Sequence, residues 1–470
     1  MPSSEADFAA PIHAGPAPPG KPLPFFKYLR TIGENVIAGY DEAVYEEMIL
    51  RRGFPGTTHF IVNDPAGIKR VLIDNAANYK KGEMEHRVSG LGMSGEDAAR
   101  LDKVWRARRR MVASSLDYRS YPAFASKVSD STSKVLAAWE ALPPGTVVDL
   151  QETMRDLTCE VMARVLFSID HNEVAEALEQ LIAQAAAHAR LDRVDFVPLL
   201  NRVRRSYRGR AVLRRFRPGA AAIDGVIERR IRNGKAGEGN GGQDDLLDRL
   251  VSARDPQNGQ RMDVAELRLI MIALFAGGHD AASRGLAWAL YLLSQHPIEE
   301  RRLHDELDAV LGGRRPGFED VDKLPYTRMV IEEAMRLYPP FPLMAWREAI
   351  GDDAICGMAI PKGATVAIIP WVVHRHRKLW ENPECFDPGR FSPLRSAGRP
   401  HLAYLPFGAG PRVCMGAVFA MMEMVLILAT VAQRYRPQLL PGHKVEPQAH
   451  LILSAKDGLP MTLERRSTSD

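Results

Sequence analysis

The chain has 470 residues, of which 46% are hydrophobic and 26% are charged, an ordinary composition for a globular protein with a large apolar core. Its formal net charge of +4 is too small to indicate a nucleic-acid-binding protein. The four cysteines lack CxxC or CxxH spacing, which argues against a disulfide framework and against a structural zinc site. We therefore expect a reduced, cytoplasmic protein.

The first segment, residues 1–24, is rich in proline and lacks the basic start and the apolar run that a signal peptide or membrane anchor needs. We expect this segment to be partly disordered, and we expect no membrane span. Residues 25–470 form the second and main unit.

The next elements along the chain mix strands and helices. The sequence THFIVND, residues 58–64, predicts a strand that ends at a proline-containing turn. A helix is predicted from Gly95 to Leu116, and it places Trp105 and Arg109 on one face because they are four residues apart. Its run of arginines is typical of a solvated basic face.

A long helix is predicted to begin at Asp263, where Glu266 completes a capping box, and to end at about Gln295. Its middle contains Gly277 and Gly278. Each glycine costs about 1 kcal/mol relative to alanine inside a helix, so another interaction should offset both. Close approach of a ligand is one such interaction.

Two later motifs carry charged residues. IEEAMRLYPP places Glu333 and Arg336 three residues apart on one helical face, which by itself indicates a surface ion pair of a few tenths of a kcal/mol. Alternating apolar segments such as ATVAIIPW predict strands between this helix and FDPGRF, which contains Arg390. Arg390 could complete a buried triad with Glu333 and Arg336.

The stretch FGAGPRVCMGAVFAMME, residues 407–423, places Cys414 just before an apolar helix that continues to about Arg434. Gly408 and Gly410 allow a tight turn in which amide N–H groups converge on the sulfur and stabilise a thiolate. Three explanations stay open for Cys414: an inert buried cysteine, a nucleophile activated at a helix start, or a thiolate ligand of haem iron.

The cysteine stretch resembles the haem-binding loop of the cytochrome P450 family. The matching positions are Phe407, Gly408, Gly410, Arg412, Cys414, Gly416, Ala420 and Glu423. The resemblance extends over nearly the whole chain through AGGHDA, the Glu333/Arg336 pair and FDPGRF. It implies the cytochrome P450 fold, mainly α with a small β region, over residues 25–470.

The resemblance also implies the cofactor site. Haem b would be bound by Cys414 as thiolate ligand of the iron, with Phe407, Gly408 and Gly416 shaping the loop beside it. Its propionates would be held by Trp105, Arg109, Arg347 and Arg412. Glu333, Arg336 and Arg390 would form a buried triad beneath the haem, with the structural role of fixing the cysteine loop.

The resemblance assigns the middle of the long helix to oxygen binding. Gly277, Gly278 and Asp280 match the kinked segment in which the acid is normally followed by threonine, but this chain has Ala281. Ser283 is a poor substitute because it lies about 200° around the helix from position 281. We favour proton delivery through a substrate hydroxyl or an ordered water. The use of peroxide and a reaction other than hydroxylation remain open.

The resemblance implies a monooxygenase that inserts one atom of dioxygen into an apolar small molecule. Electrons would come from a ferredoxin or flavodoxin with its reductase, and Lys103, Arg106 and Arg110 would suit an acidic partner. The substrate cavity would be lined by Leu274, Leu343, Trp346 and Leu453, the last near the turn of a C-terminal hairpin.

Two alternatives to an ordinary monooxygenase stay open. Ala281 permits a peroxygenase, a desaturase or an isomerising haem-thiolate enzyme. From another class, the chain could be a haem-binding sensor without turnover. Asp280 and the glycine pair favour turnover over sensing.

Overall fold

The computed structural model describes residues 15–54, 57–82, 108–169, 221, 223–232, 245–343 and 345–466. Within them, residues 15–24 contain neither helix nor strand, and the rest of the N-terminal segment lies outside the described part. Partial disorder of residues 1–24 therefore stays a prediction. Trp105, Lys103 and Arg106 also lie outside the described residues, and only residues 108–115 of the predicted basic helix are seen as helical.

Helices make up most of the described structure. They are α1 (Phe25–Glu34), α2 (Pro65–Lys69), α3 (Tyr121–Glu140), α4 (Leu150–Phe167), α5 (Leu246–Ser252), α6 (Val264–Gln295), α7 (Pro297–Leu311), α8 (Pro325–Leu337), α9 (Pro370–Val373), α10 (Pro393–Ser396) and α11 (Ala417–Ala432). Helical residues 108–115 and 223–232 border segments outside the description. None of the described helices has the length and apolar character needed to cross a lipid bilayer.

The strands of the described residues form four small sheets. They are β1 (Ile49–Phe54), β2 (Thr57–Val62), β3 (Tyr79–Lys81), β4 (Val147–Asp149), β5 (Ala345–Ala349), β6 (Asp353–Ile355), β7 (Met358–Ile360), β8 (Thr365–Ile368), β9 (Tyr435–Leu439), β10 (Pro447–Ala449), β11 (Leu453–Ala455) and β12 (Pro460–Arg465). The largest sheet has the order β1-β2-β8-β5-β3, and the others are β4-β12-β9, β6-β7 and β10-β11. The predicted class, mainly α with a small β region, is confirmed.

Helix α6 is the central element of the core. Its capping box is present: Asp263 accepts from the Glu266 N–H at 2.8 Å, and Glu266 accepts from the Asp263 N–H at 3.1 Å. The helix runs without interruption for 32 residues to Gln295, as the sequence predicts, because Pro297 follows. Its C-terminal half is almost fully buried. Helix α4 packs along it on one side, and Gly285 lies against Met424 of α11 on another.

The two glycines in the middle of α6 have different neighbours. A β-carbon placed on Gly278 would lie 2.5 Å from the Met162 Cε, whereas one placed on Gly277 would meet nothing within 4 Å. Close packing of α4 therefore explains Gly278, whereas the described neighbours supply no steric reason for Gly277. Approach of a ligand to the two glycines stays a prediction.

Candidate functional site

The cysteine loop is closed by its own backbone. The Cys414 N–H donates to the Phe407 carbonyl at 2.9 Å. Gly408 and Gly410 adopt φ of 72° and 70°, in the left-handed region that favours glycine. A β-carbon at Gly410 would lie only 1.9 Å from the Leu72 carbonyl oxygen, so position 410 accepts no side chain. Helix α11 begins three residues after Cys414, with Gly416 at its N-cap.

The Cys414 thiol is exposed, but the protein around it is dense enough that desolvation raises its pKa. A hydrogen bond from the Gly416 amide and the nearby Arg109 charge act in the opposite direction and are weaker. The Gly416 amide is one contact of the kind predicted to stabilise a thiolate, and that stabilisation stays a prediction. A raised thiol pKa argues against an activated nucleophile. Metal binding displaces the proton of a thiol, so the ligand explanation is unaffected.

Three arginines gather at the cysteine loop. Arg109 donates to the Val413 carbonyl, and Arg412 lies in the loop itself. Arg347 is nearly buried within β5, not in the connection before the strand. Burial lowers the pKa of Arg347 to about 10, with a further contribution from Arg412, and burial and Arg412 likewise lower the pKa of Arg109. Closely spaced like charges of this kind favour binding of an anionic group.

The middle of α6 offers no hydroxyl next to Asp280. Ala281 is partly buried, and the fully buried Ser283 hydroxyl donates to the Asp280 carbonyl at 2.8 Å. The Asp280 carboxylate lies 3.2 Å from the Arg284 guanidinium, one turn along the helix. Ser283 is thus occupied by the helix backbone, in agreement with its unfavourable direction. The helix is held from behind by Thr158 of α4, whose hydroxyl lies 2.9 Å from the His279 carbonyl.

The structure brings Glu333, Arg336 and Arg390 together. Arg336 binds Glu333 in a bidentate pair, Nε to Oε2 and Nη2 to Oε1, both at 2.7 Å, and both side chains are 0% exposed. Arg390 Nε donates to Glu333 Oε1 at 3.2 Å. Arg336 also donates to the carbonyls of Pro383 and Cys385, at 2.7 and 3.0 Å. The pair is therefore a buried anchor for the chain around residues 381–390 and not a surface ion pair.

A histidine that the sequence analysis did not single out connects this anchor to the cysteine loop. Arg336 donates to the His374 carbonyl at 2.9 Å, and His374 Nε2 accepts from the Leu405 N–H at 2.8 Å. Its other nitrogen, Nδ1, lies 3.2 Å from the Arg336 carbonyl and donates to it. Both nitrogens are satisfied only in the neutral ring, and burial lowers the His374 pKa to about 3. Leu405 is two residues before Phe407, where the loop begins.

Glu423, the last position of the cysteine motif, is an isolated acid in the core. Its side chain is completely buried in α11, and neither carboxyl oxygen has a hydrogen-bond partner within the described part of the chain. Burial raises its pKa well above the usual value, so the group is neutral in the folded protein.

The four candidate cavity residues differ in how deeply they are buried. Leu274, Leu343 and Trp346 are partly buried side chains at the edge of the core. Leu453 is fully buried in β11, where its N–H donates to the Pro340 carbonyl. Its place in the substrate cavity, which the family resemblance implies, stays a prediction. Leu451 and Ile452, in the turn before β11, are partly exposed.

Comparison with known proteins decides the family. The family model for cytochrome P450 matches residues 16–462. The chain belongs to the cytochrome P450 family. It is a cytochrome P450 monooxygenase, as the sequence predicts.

Two relatives from Streptomyces melanosporofaciens are each 33% identical to this P450. They are cyclooctatin synthase, with 83% of both chains covered, and cyclooctat-9-en-7-ol 5-monooxygenase, with 82% of this chain and 81% of the relative covered. A putative cytochrome P450 132 from Mycobacterium tuberculosis is 30% identical over 93% of this chain and 94% of its own.

The crystal structure of a cytochrome P450DA heme domain superimposes with a TM-score of 0.78, covering 96% of this P450 and 98% of that chain at 22% identity. The predicted cytochrome P450 fold is thereby confirmed.

Family membership implies a haem-thiolate cofactor, dioxygen, a substrate and a redox partner. The residues in place fit such a cofactor. Cys414 is accessible just before α11, three arginines supply positive charge for carboxylates, and a β-carbon on Gly277 would meet none of the described residues within 4 Å.

We predict that Glu333→Gln lowers the free energy of unfolding by about 3–5 kcal/mol, because it removes the carboxylate paired with the buried Arg336 and the nearer of the two carboxylates beside Arg390. Urea-induced unfolding followed by circular dichroism measures the change. Glu332→Gln, the same change one position earlier, is the control. Its partner Arg328 is exposed, so the expected loss is about 0–1 kcal/mol. Equal losses in the two variants would contradict the proposed anchor.

We predict that Glu423→Gln stabilises the protein in a pH-dependent way. Since the folded-state pKa is raised, the unfolded state alone ionises as pH increases through about 4.3. The wild type then loses about 1.4 kcal/mol of stability per pH unit relative to the variant, up to the folded-state pKa. Urea unfolding at pH 4 and pH 7 measures this difference. A difference independent of pH would rule out a neutral buried Glu423.

Proposed function

We propose that this P450 inserts one atom of dioxygen into an apolar small-molecule substrate, using haem b and electrons from a separate ferredoxin or flavodoxin with its reductase. The observation that carries the proposal is the accessible Cys414, presented by a loop that its own backbone and the buried triad hold in place. A cytoplasmic location remains part of the proposal.

The proposed cofactor contacts follow from charge and position. Cys414 would ligate the iron, and Arg109, Arg347 and Arg412 would bind the propionates, together with Trp105. Phe407, Gly408 and Gly416 would give the loop its shape. Haem bound through a thiolate supplies the chemistry that cleaves the O–O bond. Glu333, Arg336 and Arg390 would act through the loop and not on the reacting atoms.

The proposed substrate is an apolar molecule with a hydroxyl group. One relative is named for the unsaturated alcohol cyclooctat-9-en-7-ol on which it acts. In this P450, Ala281 and the occupied Ser283 leave the position next to Asp280 without a hydroxyl from α6. A substrate hydroxyl near Ala281, or a water held by it, would relay a proton from Asp280. Leu274, Leu343, Trp346, Gly277 and Gly278 would bound or support this side of the cavity.

The proposed electron donor binds beside the cysteine loop. Val413 and Val418 flank Cys414 and keep 38% and 59% of their surface exposed. Arg110, the residue after Arg109, is exposed and supplies positive charge. An apolar patch bordered by positive charge fits a small acidic partner.

A second candidate is a haem-thiolate enzyme driven by peroxide, such as a peroxygenase. The Ser283 hydrogen bond to the Asp280 carbonyl favours it, because a missing proton relay matters less when the oxidant already carries its protons. Turnover with hydrogen peroxide that equals or exceeds turnover with donor and dioxygen would select this candidate. Steady oxygen consumption with donor and substrate, or product formation with hydrogen peroxide, separates an enzyme from a sensor without turnover.

We predict that the wild-type protein, reduced and exposed to carbon monoxide, shows the strongly red-shifted Soret band of a thiolate-ligated haem. Cys414→Ser should abolish that band, since an alcohol does not replace a thiolate ligand. Cys356→Ser is the control, because this cysteine is also exposed but lies in the β6–β7 turn. A wild-type band of the histidine type, or no bound haem, would sink the proposal.

We predict that product formed per electron pair depends on the substrate hydroxyl in the wild type and not in Ala281→Thr. The experiment compares a hydroxylated substrate with its deoxy analogue in both proteins. With the deoxy analogue, coupling in the wild type should fall about tenfold, and the threonine should restore it. The reason is that a positioned general acid contributes about 100-fold or more to a reaction rate. Unchanged coupling across all four combinations would exclude the substrate-hydroxyl relay.

A further inference from the structure

A carboxylate outside the predicted site organises the segment against which the cysteine loop lies. Asp353 begins β6 and accepts from three side chains. Arg70 binds it in a bidentate manner, at 2.7 Å from Nη2 and 3.3 Å from Nε. Asn75 Nδ2 and the Tyr79 hydroxyl donate to Oδ2 at 3.0 and 2.7 Å. The carboxylate is almost completely shielded from solvent.

The three donors lie at intervals along one short stretch of chain. Arg70 begins a π-helical turn, Arg70–Asp74, and Tyr79 begins β3. Asp353 therefore holds both ends of residues 70–79. A π-helical turn is rare and usually occurs as a single turn. Hydrogen bonds from outside the turn therefore matter more to its position than they do for a regular α-helix.

This stretch touches the cysteine loop through its backbone. The Leu72 carbonyl oxygen lies 1.9 Å from the point where a β-carbon on Gly410 would be, so the two backbones are in direct contact. Gly410 is four residues before Cys414, inside the loop closed by the Phe407 carbonyl. Neither backbone can move toward the other, and a shift of Leu72 away would leave the loop without support on this side.

The same stretch reaches one of the arginines at the site. Tyr79 pairs with Ala349, and two residues later Lys81 pairs with Arg347 in the β3–β5 ladder. The position of Tyr79, which Asp353 fixes, therefore sets the register of the strand beside Arg347.

We propose that Asp353 is a positioning residue for the haem-thiolate site: through Arg70, Asn75 and Tyr79 it fixes the Leu72 carbonyl against Gly410 and so keeps Cys414 in place as the iron ligand. This inference rests on haem ligation by Cys414, which the proposed function includes. Asp353 touches neither the cofactor site nor the substrate side of α6 in this account; it acts through the backbone of residues 70–79.

The test uses the haem-loaded full chain and the reduced, carbon monoxide-bound spectrum at neutral pH. The quantity measured is the ratio of the thiol-type band to the thiolate-type band. Asp353→Asn should raise this ratio about tenfold, the effect of losing one charge-assisted hydrogen bond. Tyr79→Phe, which removes one donor and leaves no unpaired charge, should raise it about threefold.

Asp74→Asn is the matched control. It makes the same chemical change in the same segment, but Asp74 pairs with Lys69 at the surface. Its ratio should equal that of the wild type. If Asp353→Asn and Tyr79→Phe unfold more easily while their folded forms keep the wild-type ratio, the network supports only the fold and the inference is overturned.

Two further outcomes of the experiment also have a definite meaning. If Asp353→Asn binds no haem because it does not fold, Tyr79→Phe decides alone by the same ratio. If the wild type itself lacks the thiolate-type band, ligation by Cys414 fails first, and the inference falls with it. A failure of the inference alone leaves the wild-type thiolate band intact.

Discussion

The buried ion pair between Glu333 and Arg336 is the interaction on which the arrangement of the site depends. Two charges without solvent contact are unfavourable unless nearly all of their hydrogen-bonding capacity is used. Here the arginine donates to the carboxylate twice and to three backbone carbonyls, while the carboxylate also accepts from Arg390. The pair thus ties α8 to two distant stretches of chain, around His374 and over residues 381–390. Both side chains depend on these contacts, because each would otherwise be a buried charge with unused hydrogen-bonding capacity.

The middle of helix α6 is positioned by packing against its neighbours. Helix α6 runs unbroken through two glycines, which differ in their neighbours. Gly278 lets Met162 of α4 pack against the helix, whereas a β-carbon on Gly277 would meet none of the described residues within 4 Å. Asp280 and Ala281 follow directly, so the position of α4 sets where these residues lie. Gly285 of the same helix contacts Met424 of α11. This contact joins α6 to the helix that follows Cys414.

Local signals in the sequence were sufficient for much of the fold. The capping box at Asp263 and the proline after Gln295 fix both ends of α6, because each acts within a few residues. The family resemblance supplied the triad and the cysteine loop, whose residues recur at fixed spacings. Contacts between distant residues were out of reach: nothing in the sequence indicates that Met162 packs on Gly278, or that Leu453 is buried. The raised pKa of Cys414 depends on the density of surrounding atoms, which no local pattern encodes.

The neutral imidazole of His374 determines how the site responds to acid. Its two nitrogens bridge α8 and the chain before the cysteine loop, and its pKa of about 3 keeps this bridge uncharged at every cellular pH. The unfolded chain, in contrast, takes up a proton on this residue below about pH 6.5. Acidification therefore does not release the loop by itself but lowers the stability of the whole fold, by about 1.4 kcal/mol per pH unit from this group. The cysteine loop and the core therefore lose stability together as the pH falls.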